Sequence, residues 1–338
     1  MENQLESSRT LQNREEYLTV TQLMVRRFKK HRLAVLSIYG LAVLYLIAIF
    51  AEFLSPYSAS TIIHGYTNAP PSGIQLFHEG EFVGPFVYPM EKHIDQETFQ
   101  SLFVKDRSTY YKVKLFARSD EYRLFGVIRT NRHLFGIELP DQKKGETWPA
   151  ALTLFGTDKN GRDIFSRTLI GSRVSLFIGL TGVLVSFGLG CLLGGISGYF
   201  GGVVDGIIQR IIDVLLCIPI IPLWVVLSAA IPRDWPVVRT YFAITVILGF
   251  VSWTRLARVV RGKLVSMREQ DFVTAARVNG ASDMFTIVSH MLPNFMSYLI
   301  VSISISIPQM ILAETALSFL GLGMQDPAVS WGVLLQDT

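Results

Sequence analysis

Five long apolar runs dominate this sequence and limit the folds open to it. A helix needs about 20 mostly apolar residues to cross the roughly 30 Å hydrocarbon layer of a bilayer. Runs of about this length lie near residues 33–54, 174–197, 207–231, 237–254 and 293–316. Half of all residues are hydrophobic and only 17% are charged, which excludes an ordinary soluble domain. The sequence therefore predicts an all-α polytopic membrane protein with about five spans.

The positions of Lys and Arg predict how the chain is oriented, because cytoplasmic flanks of spans are enriched in these residues. Seven lie within residues 1–32, six lie between residues 255 and 277, and none follows Glu314. We therefore expect the N-terminus and the loop at 261–293 to be cytoplasmic. Apolar residues interleave with the basic ones in 1–32, which favours an interfacial elbow helix on acidic lipid. A solvated basic tail is the alternative.

Residues 55–153 separate the first two predicted spans and read as a folded module. Alternating apolar residues and frequent Gly and Pro favour a small β-rich extracytoplasmic insert. Its four histidines have no metal-ligand spacing, so we interpret them as surface residues. The acidic loop at 158–163 resembles a calcium loop only superficially, because Leu169 stands where the last acidic ligand belongs. No metal site is expected.

Motifs of common enzymes are missing from this sequence. There is no G-x-x-x-x-G-K-[ST], no G-x-S-x-G and no H-E-x-x-H. We therefore expect no catalytic residue and no cofactor bound by this chain, so that any ATP and Mg²⁺ are used by partner subunits. Two alternatives stay open: a membrane-anchored extracytoplasmic sensor or enzyme, and an ATP-independent channel.

Small residues recur at every fourth position from Ser186 to Gly206. In lipid, this spacing lets two helix backbones approach closely. Close packing against another helix is the preferred interpretation, and a glycine-lined pathway is the alternative. A turn is expected near residues 199–202, before the third span.

Charged residues and prolines within the spans are candidates for a translocation path or gate. Arg210 and Asp213 lie one helical turn apart and can pair, and prolines bend a helix by freeing backbone carbonyls. Glu314 fits either a water-filled cavity or the outer interface. The full set is Arg210, Asp213, Pro219, Pro222, Pro308 and Glu314.

The loop at 261–293 has the pattern of a helix, a turn and a second helix closed by proline. Ala275-Ala276, Gly280 and Leu292-Pro293 stand at the spacing of the EAA loop. The chain therefore resembles the permease subunits of bacterial ABC importers. Thr274 stands in place of that family's first Glu, and His290 resembles the His-x-Leu-Pro-Asn variant of the dipeptide and oligopeptide branch.

Similarity to the C-type subunits of that branch extends over residues 20–54 and 154–334. Three departures accompany it: the long insert, Asp326 in place of a proline pair, and an end at Thr338 where the family has a sixth span. We expect either a truncated chain or a missing last span. The coupling residues that the resemblance implies are Asp271, Thr274, Ala275, Ala276, Gly280, Asp283, Leu292 and Pro293.

The resemblance implies a transport subunit of the bacterial inner membrane rather than an enzyme. It would enclose the translocation path with a homologous second permease subunit. Two ATP-binding subunits would dock on the 261–293 loop, and an extracytoplasmic solute-binding protein would deliver the substrate. Membrane lipid is the other expected partner, and nucleic acid is not expected. Peptides, oligosaccharides, opines and nickel all stay open as substrates, and so does the role of the insert.

Overall fold

The computed structural model describes residues 29–30, 32–96, 101–139, 146–232, 234–324 and 328–337. Most of the predicted elbow helix in 1–32, and the departure at Asp326, lie outside these residues. The chain divides into two compact units, Met1–Ile49 and Phe50–Thr338. The first contains helix α1 (Arg32–Ile49), which has no charged residue after Arg32.

The second unit consists of helices around a β-rich insert. The helices are α2 (Ala51–Leu54), α3 (Ile164–Phe200), α4 (Gly202–Cys217), α5 (Ile220–Ala229), α6 (Val237–Met267), α7 (Asp271–Val278), α8 (Asp283–Phe285), α9 (Met296–Phe319) and α10 (Trp331–Asp337). Between α8 and α9 the chain continues as a π-helical turn, Thr286–Met291, and a 3₁₀ turn, Leu292–Phe295.

Within the described residues, four helical stretches are long and apolar enough to cross a membrane: α1, α3, α6 and Asp283–Phe319. The predicted third span is divided into α4 and α5, which are bent by 89°. The break lies at Ile218 and Pro219, since both residues have extended backbone and proline cannot donate a backbone hydrogen bond. If the bent pair counts as one span, the total is five.

The insert carries strands, as predicted. These are β1 (Gln75–His78), β2 (Glu81–Val87), β3 (Met90–Ile94), β4 (Ser101–Lys105), β5 (Tyr111–Leu115), β6 (Arg118–Leu124), β7 (Ile128–Arg132) and β8 (Phe135–Ile137). Antiparallel pairing gives a four-stranded sheet in the order β1-β2-β5-β8 and two hairpins, β3–β4 and β6–β7. A small core of Val87, Ile137, Ala150 and Leu152 lies under the sheet.

Asp163 joins the insert to the helical bundle by capping the start of α3. Its Oδ2 accepts hydrogen bonds from the Ser166 backbone N–H at 2.8 Å and from the Ser166 hydroxyl at 2.6 Å. The Ser166 hydroxyl in turn accepts from the backbone N–H of Tyr57 at 3.2 Å. Asp163 is only 1% exposed, and this burial raises the pKa of its carboxyl to about 6.

Close backbone contact holds α3 against α6. A Cβ atom built on Gly194 would lie 2.5 Å from the carbonyl oxygen of Ala257, and one on Gly198 would lie 2.7 Å from that of Arg261. The glycine spacing therefore serves helix packing, as preferred from the sequence. The helix α3 ends at Phe200, and the next residue, Gly201, has a φ of 66° in the left-handed region.

This contact predicts opposite effects for two glycines of α3. Gly194→Ala should destabilise the protein by about 1–3 kcal/mol, because the backbone of α6 cannot move away cheaply. Gly188→Ala is the matched control: no atom lies within 4 Å of its added Cβ, so helix propensity should raise stability by about 1 kcal/mol. Thermal unfolding in detergent measures both, and an equal response of the two variants would contradict the packing role.

The Asp163 cap predicts a pH dependence. Because folding raises its pKa from 3.8 to about 6, the protonated carboxyl stabilises the fold fully below pH 3.8, and this contribution is lost as the pH rises through 6. Asp163→Asn keeps an oxygen acceptor for Ser166 but cannot ionise. The thermal midpoint of the wild type should therefore fall relative to this variant between pH 4 and pH 7. Parallel curves over that range would show that the cap does not titrate there.

Candidate functional site

The segment from α7 to the start of α9 forms a compact helix-turn-helix at the end of α6. The chain reverses after α7 at Gly280, whose φ of 78° is in the region that favours glycine. The Ser282 hydroxyl then caps α8 by accepting from the backbone N–H of Phe285 at 3.4 Å. We call residues 271–295 the coupling loop, after the role that the resemblance predicts for this segment.

Buried apolar side chains fix the inner face of the coupling loop to the bundle. Val273, Ile287 and Met291 are at most 2% exposed and pack with Val260 and Leu264 of α6. The loop is therefore a packed extension of the helices rather than a free surface segment. Its position follows that of α6.

Tyr199, in the last turn of α3, ties the two halves of the coupling loop together. Its hydroxyl donates to the Oδ1 atom of Asp283 at 2.7 Å and accepts from the Nε–H of Arg277 at 2.9 Å. The Arg277 guanidinium also lies over the tyrosine ring, 4.7 Å from its centroid. Because Arg277 belongs to α7 and Asp283 to α8, one side chain holds both halves against α3.

The outer face of the coupling loop exposes large apolar side chains. Val278 is 81% exposed, Phe285 and Val288 are each 53% exposed, and Met284 is 44% exposed. We call these four residues the loop patch. Apolar groups concentrated on a rigid surface are typical of a protein-binding site.

The predicted coupling residues lie on the same segment of the chain as this patch. Six of them are exposed and two are half-buried. The exposed ones are Asp271, Thr274, Ala275, Gly280, Asp283 and Pro293, and the half-buried ones are Ala276 and Leu292. Asp283 accepts a hydrogen bond from Tyr199 and so also contributes to the position of the loop.

Two ion pairs connect α4 to α6 next to the coupling loop. Arg261 donates from Nε and Nη2 to the two carboxylate oxygens of Asp205, both at 2.5 Å. Arg258 forms a second pair, with Asp213. The Arg210–Asp213 pair expected from the sequence is at best secondary, because its closest atoms are 4.0 Å apart.

A cavity of about 620 Å³ lies between α3, the α4–α5 break, α6 and α9. Ser186, Ser252, Ser302, Ser306 and Gln309 contribute polar atoms to its wall. Much of the rest of the lining is apolar, including Trp224 and Met310. The mixture of apolar and convergent polar groups is typical of a small-molecule site.

Only one of the six path candidates lines this cavity. Pro219 does so at the helix break, whereas Pro308 lies inside the continuous helix α9. Glu314 has neither of the two environments considered from the sequence. It is fully buried, and its carboxylate accepts a hydrogen bond from the Ser318 hydroxyl at 2.8 Å. Packing of α9 in the bundle places it away from both water and lipid.

The loop at 158–163 forms a buried ionic cluster with α3 and α10. Asp158 accepts from the Nε–H of Arg162 at 2.8 Å and also pairs with Arg167, which is fully buried. Asp337 of α10 bonds to the same two arginines. Burial opposes ionisation of Asp158, but hydrogen bonds from the backbone and side chain of Arg162 outweigh it and lower its pKa. Arginines occupy the oxygens that a calcium ion would need.

Tyr199, Arg258 and Arg261 are structural members of the site that sequence reasoning did not assign. The two arginines entered only as part of a count of positive charge. Their spacing is the missed signal: Arg258 and Arg261 are three residues apart, and their partners Asp213 and Asp205 are eight apart. Both spacings keep a set of side chains on one face of a helix.

Two family profiles match parts of this chain. The profile of the family described as binding-protein-dependent transport system inner membrane component matches residues 190–338. A second profile, the N-terminal transmembrane domain of oligopeptide transport permease C, matches residues 19–71. The chain resembles this permease family over both matched regions. With its apolar helices, it is a multi-pass protein of the inner membrane.

Among its relatives is the dipeptide transport system permease protein of Bacillus subtilis, 40% identical over 56% of this chain and 57% of the relative. The oligopeptide transport system permease protein of Haemophilus influenzae is 39% identical over 54% of this chain and 57% of the relative. The matched region thus spans little more than half of each. A Lactococcus lactis dipeptide permease is 29% identical over 92% of this chain and 77% of the relative.

The Tyr199 contacts predict that Tyr199→Phe loosens the coupling loop without unfolding the bundle. The variant keeps the ring under Arg277 but loses two hydrogen bonds to charged groups, each worth about 1.5–3 kcal/mol. Amide hydrogen exchange in α7 should therefore accelerate at least tenfold. Tyr241→Phe, at the other end of α6, is the control and should leave α7 unchanged. Equal exchange in both variants would show that the apolar core alone holds the loop.

Proposed function

We propose that this chain is a transmembrane permease subunit of an ATP-driven importer for peptides or similar small solutes. It forms half of the translocation path and couples to ATPase subunits through the coupling loop. The observation that carries this proposal is the loop patch, an exposed apolar surface on a segment that is fixed to α3 and α6 from behind. The permeases named among its relatives support the solute class.

The coupling loop is suited to transmit force because direct side-chain contacts fix it to two different helices, α3 and α6. Val273 and Met291 pack on α6, while Tyr199 holds the loop to the end of α3. A partner that moves the loop patch therefore moves the ends of two spans. ATP-driven closure of paired ATPases would switch the spans between inward-facing and outward-facing arrangements.

The remaining partners and the orientation follow from the same proposal. A second, homologous permease subunit completes the path, and two ATP-binding subunits use the ATP and Mg²⁺. The coupling loop and the N-terminus then face the cytoplasm, where the basic residues are concentrated. The insert and the solute-binding protein lie on the opposite side, where the insert either contacts that protein or caps the permease, and this chain contributes no catalytic residue.

The loop patch gives the first test. Val278→Asp should abolish co-purification with the ATPase subunits, a loss of at least tenfold, because a charge enters an apolar contact of about 2 kcal/mol or more. Val278 is 81% exposed, so the variant should fold normally. Val127→Asp is the matched control, since Val127 is 80% exposed in the turn between β6 and β7.

Capture of ATPase by both variants would show that the loop patch is not the docking surface. Capture by neither variant nor the wild type would favour an anchored sensor or an ATP-independent channel. Thermal unfolding of each variant in detergent separates loss of binding from loss of folding.

A further inference from the structure

The cavity between α3, α6 and α9 carries a positive charge that the fold itself does not use. Arg255 is exposed and belongs to the cavity lining. It is the first of three arginines spaced three residues apart on α6, followed by Arg258 and Arg261. The second and third are matched by Asp213 and Asp205 of α4. No described carboxylate pairs with Arg255.

The rest of the cavity wall reinforces this positive potential. None of the described residues that line it is acidic. Ile218, Pro219 and Ile220 line it at the break that begins α5. The first N–H groups of a helix have no intrahelical acceptor, and they carry the positive end of the helix dipole. A cationic residue and the residues that begin a helix therefore line the same cavity.

Arg255 stands at the end of the apolar stretch of α6, beside the cavity and without a described carboxylate partner. A charged side chain in hydrocarbon is costly, and such residues usually face a cavity and mark a solute path. The hydroxyls of Ser252, Ser302 and Ser306 and the amide of Gln309 offer further polar groups in the same wall. Broken helices whose N-terminal ends meet an anionic solute group are a known design of membrane transport sites.

We propose that this cavity binds the carboxylate of the transported solute, with Arg255 as the anchoring cation. The proposal rests on the proposed transport function and narrows its substrate class to solutes with a free carboxylate, such as peptides with an unmodified C-terminus. The guanidinium donates to the carboxylate, the α5 N-terminus adds to the favourable potential, and the apolar wall contacts side chains without selecting among them.

The first experiment measures the potential of the cavity without requiring transport. Ser306→Cys places a thiol in the cavity wall, in a Cys217→Ser background that removes the exposed native thiol. The full chain with its natural partners, in lipid nanodiscs, reacts with a sulfonate-bearing or a trimethylammonium-bearing methanethiosulfonate. Adding Arg255→Gln should lower the ratio of the anionic to the cationic reaction rate about tenfold, whereas Arg255→Lys should preserve it.

Arg239→Gln is the matched control for this experiment, because Arg239 lies at the other end of α6 beside Trp235. It should leave the rate ratio unchanged. An unchanged ratio in Arg255→Gln, or failure of either reagent to reach the introduced thiol in the control background, would overturn the proposal.

The second experiment measures solute selection in proteoliposomes with all partner subunits. Arg255→Gln should lower uptake of tri-alanine at least tenfold and change uptake of tri-alanine amide less than twofold, and Arg255→Lys should restore tri-alanine uptake. The binding protein is the same throughout, so ratios of variant to wild type report on this chain. If the wild type does not take up the amide, tri-alanine uptake by Arg255→Lys decides: restored uptake supports the carboxylate site, and uptake as low as in Arg255→Gln overturns it.

The two experiments separate the site from the transport function. Equal loss of both solutes in Arg255→Gln would overturn the carboxylate site and leave the permease role intact. No uptake by the wild type, together with the expected rate ratios, would overturn the proposed transport of peptides and leave the anion site standing.

Discussion

The close contact of α3 with α6 determines the position of the other functional parts. Two backbones can approach this closely only where one presents glycine, as at Gly194 and Gly198. The contact fixes both the rotation and the register of α6, so its arginines face α4 and the cavity. It also brings the end of α3 beside the coupling loop, where Tyr199 can reach it. Shifting α6 along α3 would disturb all of these contacts together.

Charged side chains in the bundle specify geometry more than they add stability. An exposed ion pair adds at most about 1 kcal/mol of stability, and a buried pair loses much of its attraction to the cost of removing its charges from water. The pairs of α6 with Asp205 and Asp213 instead define which face of α4 lies against α6. At the opposite end of α3, Arg167 does the same for Asp158 and Asp337.

Sequence patterns could predict the parts of the fold that depend on local composition. The length of the apolar runs predicted the apolar helices, and the alternation of apolar residues predicted strands in the insert. The recurrence of small residues at every fourth position predicted the close packing of two helices. Contacts between distant residues were not predictable in this way. The partner of Asp213 is 45 residues away, and Glu314 is buried because of how α9 packs. Spacing along the chain therefore predicted Arg210 as the ion-pair partner of Asp213, and it could not decide the environment of Glu314.

The length of α3 has a consequence for communication across the membrane. Its 37 residues make a rod of about 55 Å, roughly 25 Å longer than the hydrocarbon layer. The same unbroken helix is capped by Asp163 at the insert and carries Tyr199 at the coupling loop. Binding free energies at two linked sites are reciprocal. If a partner bound to the coupling loop changes the affinity of the insert for a second partner by some factor, the second partner must change the affinity of the loop for the first by the same factor.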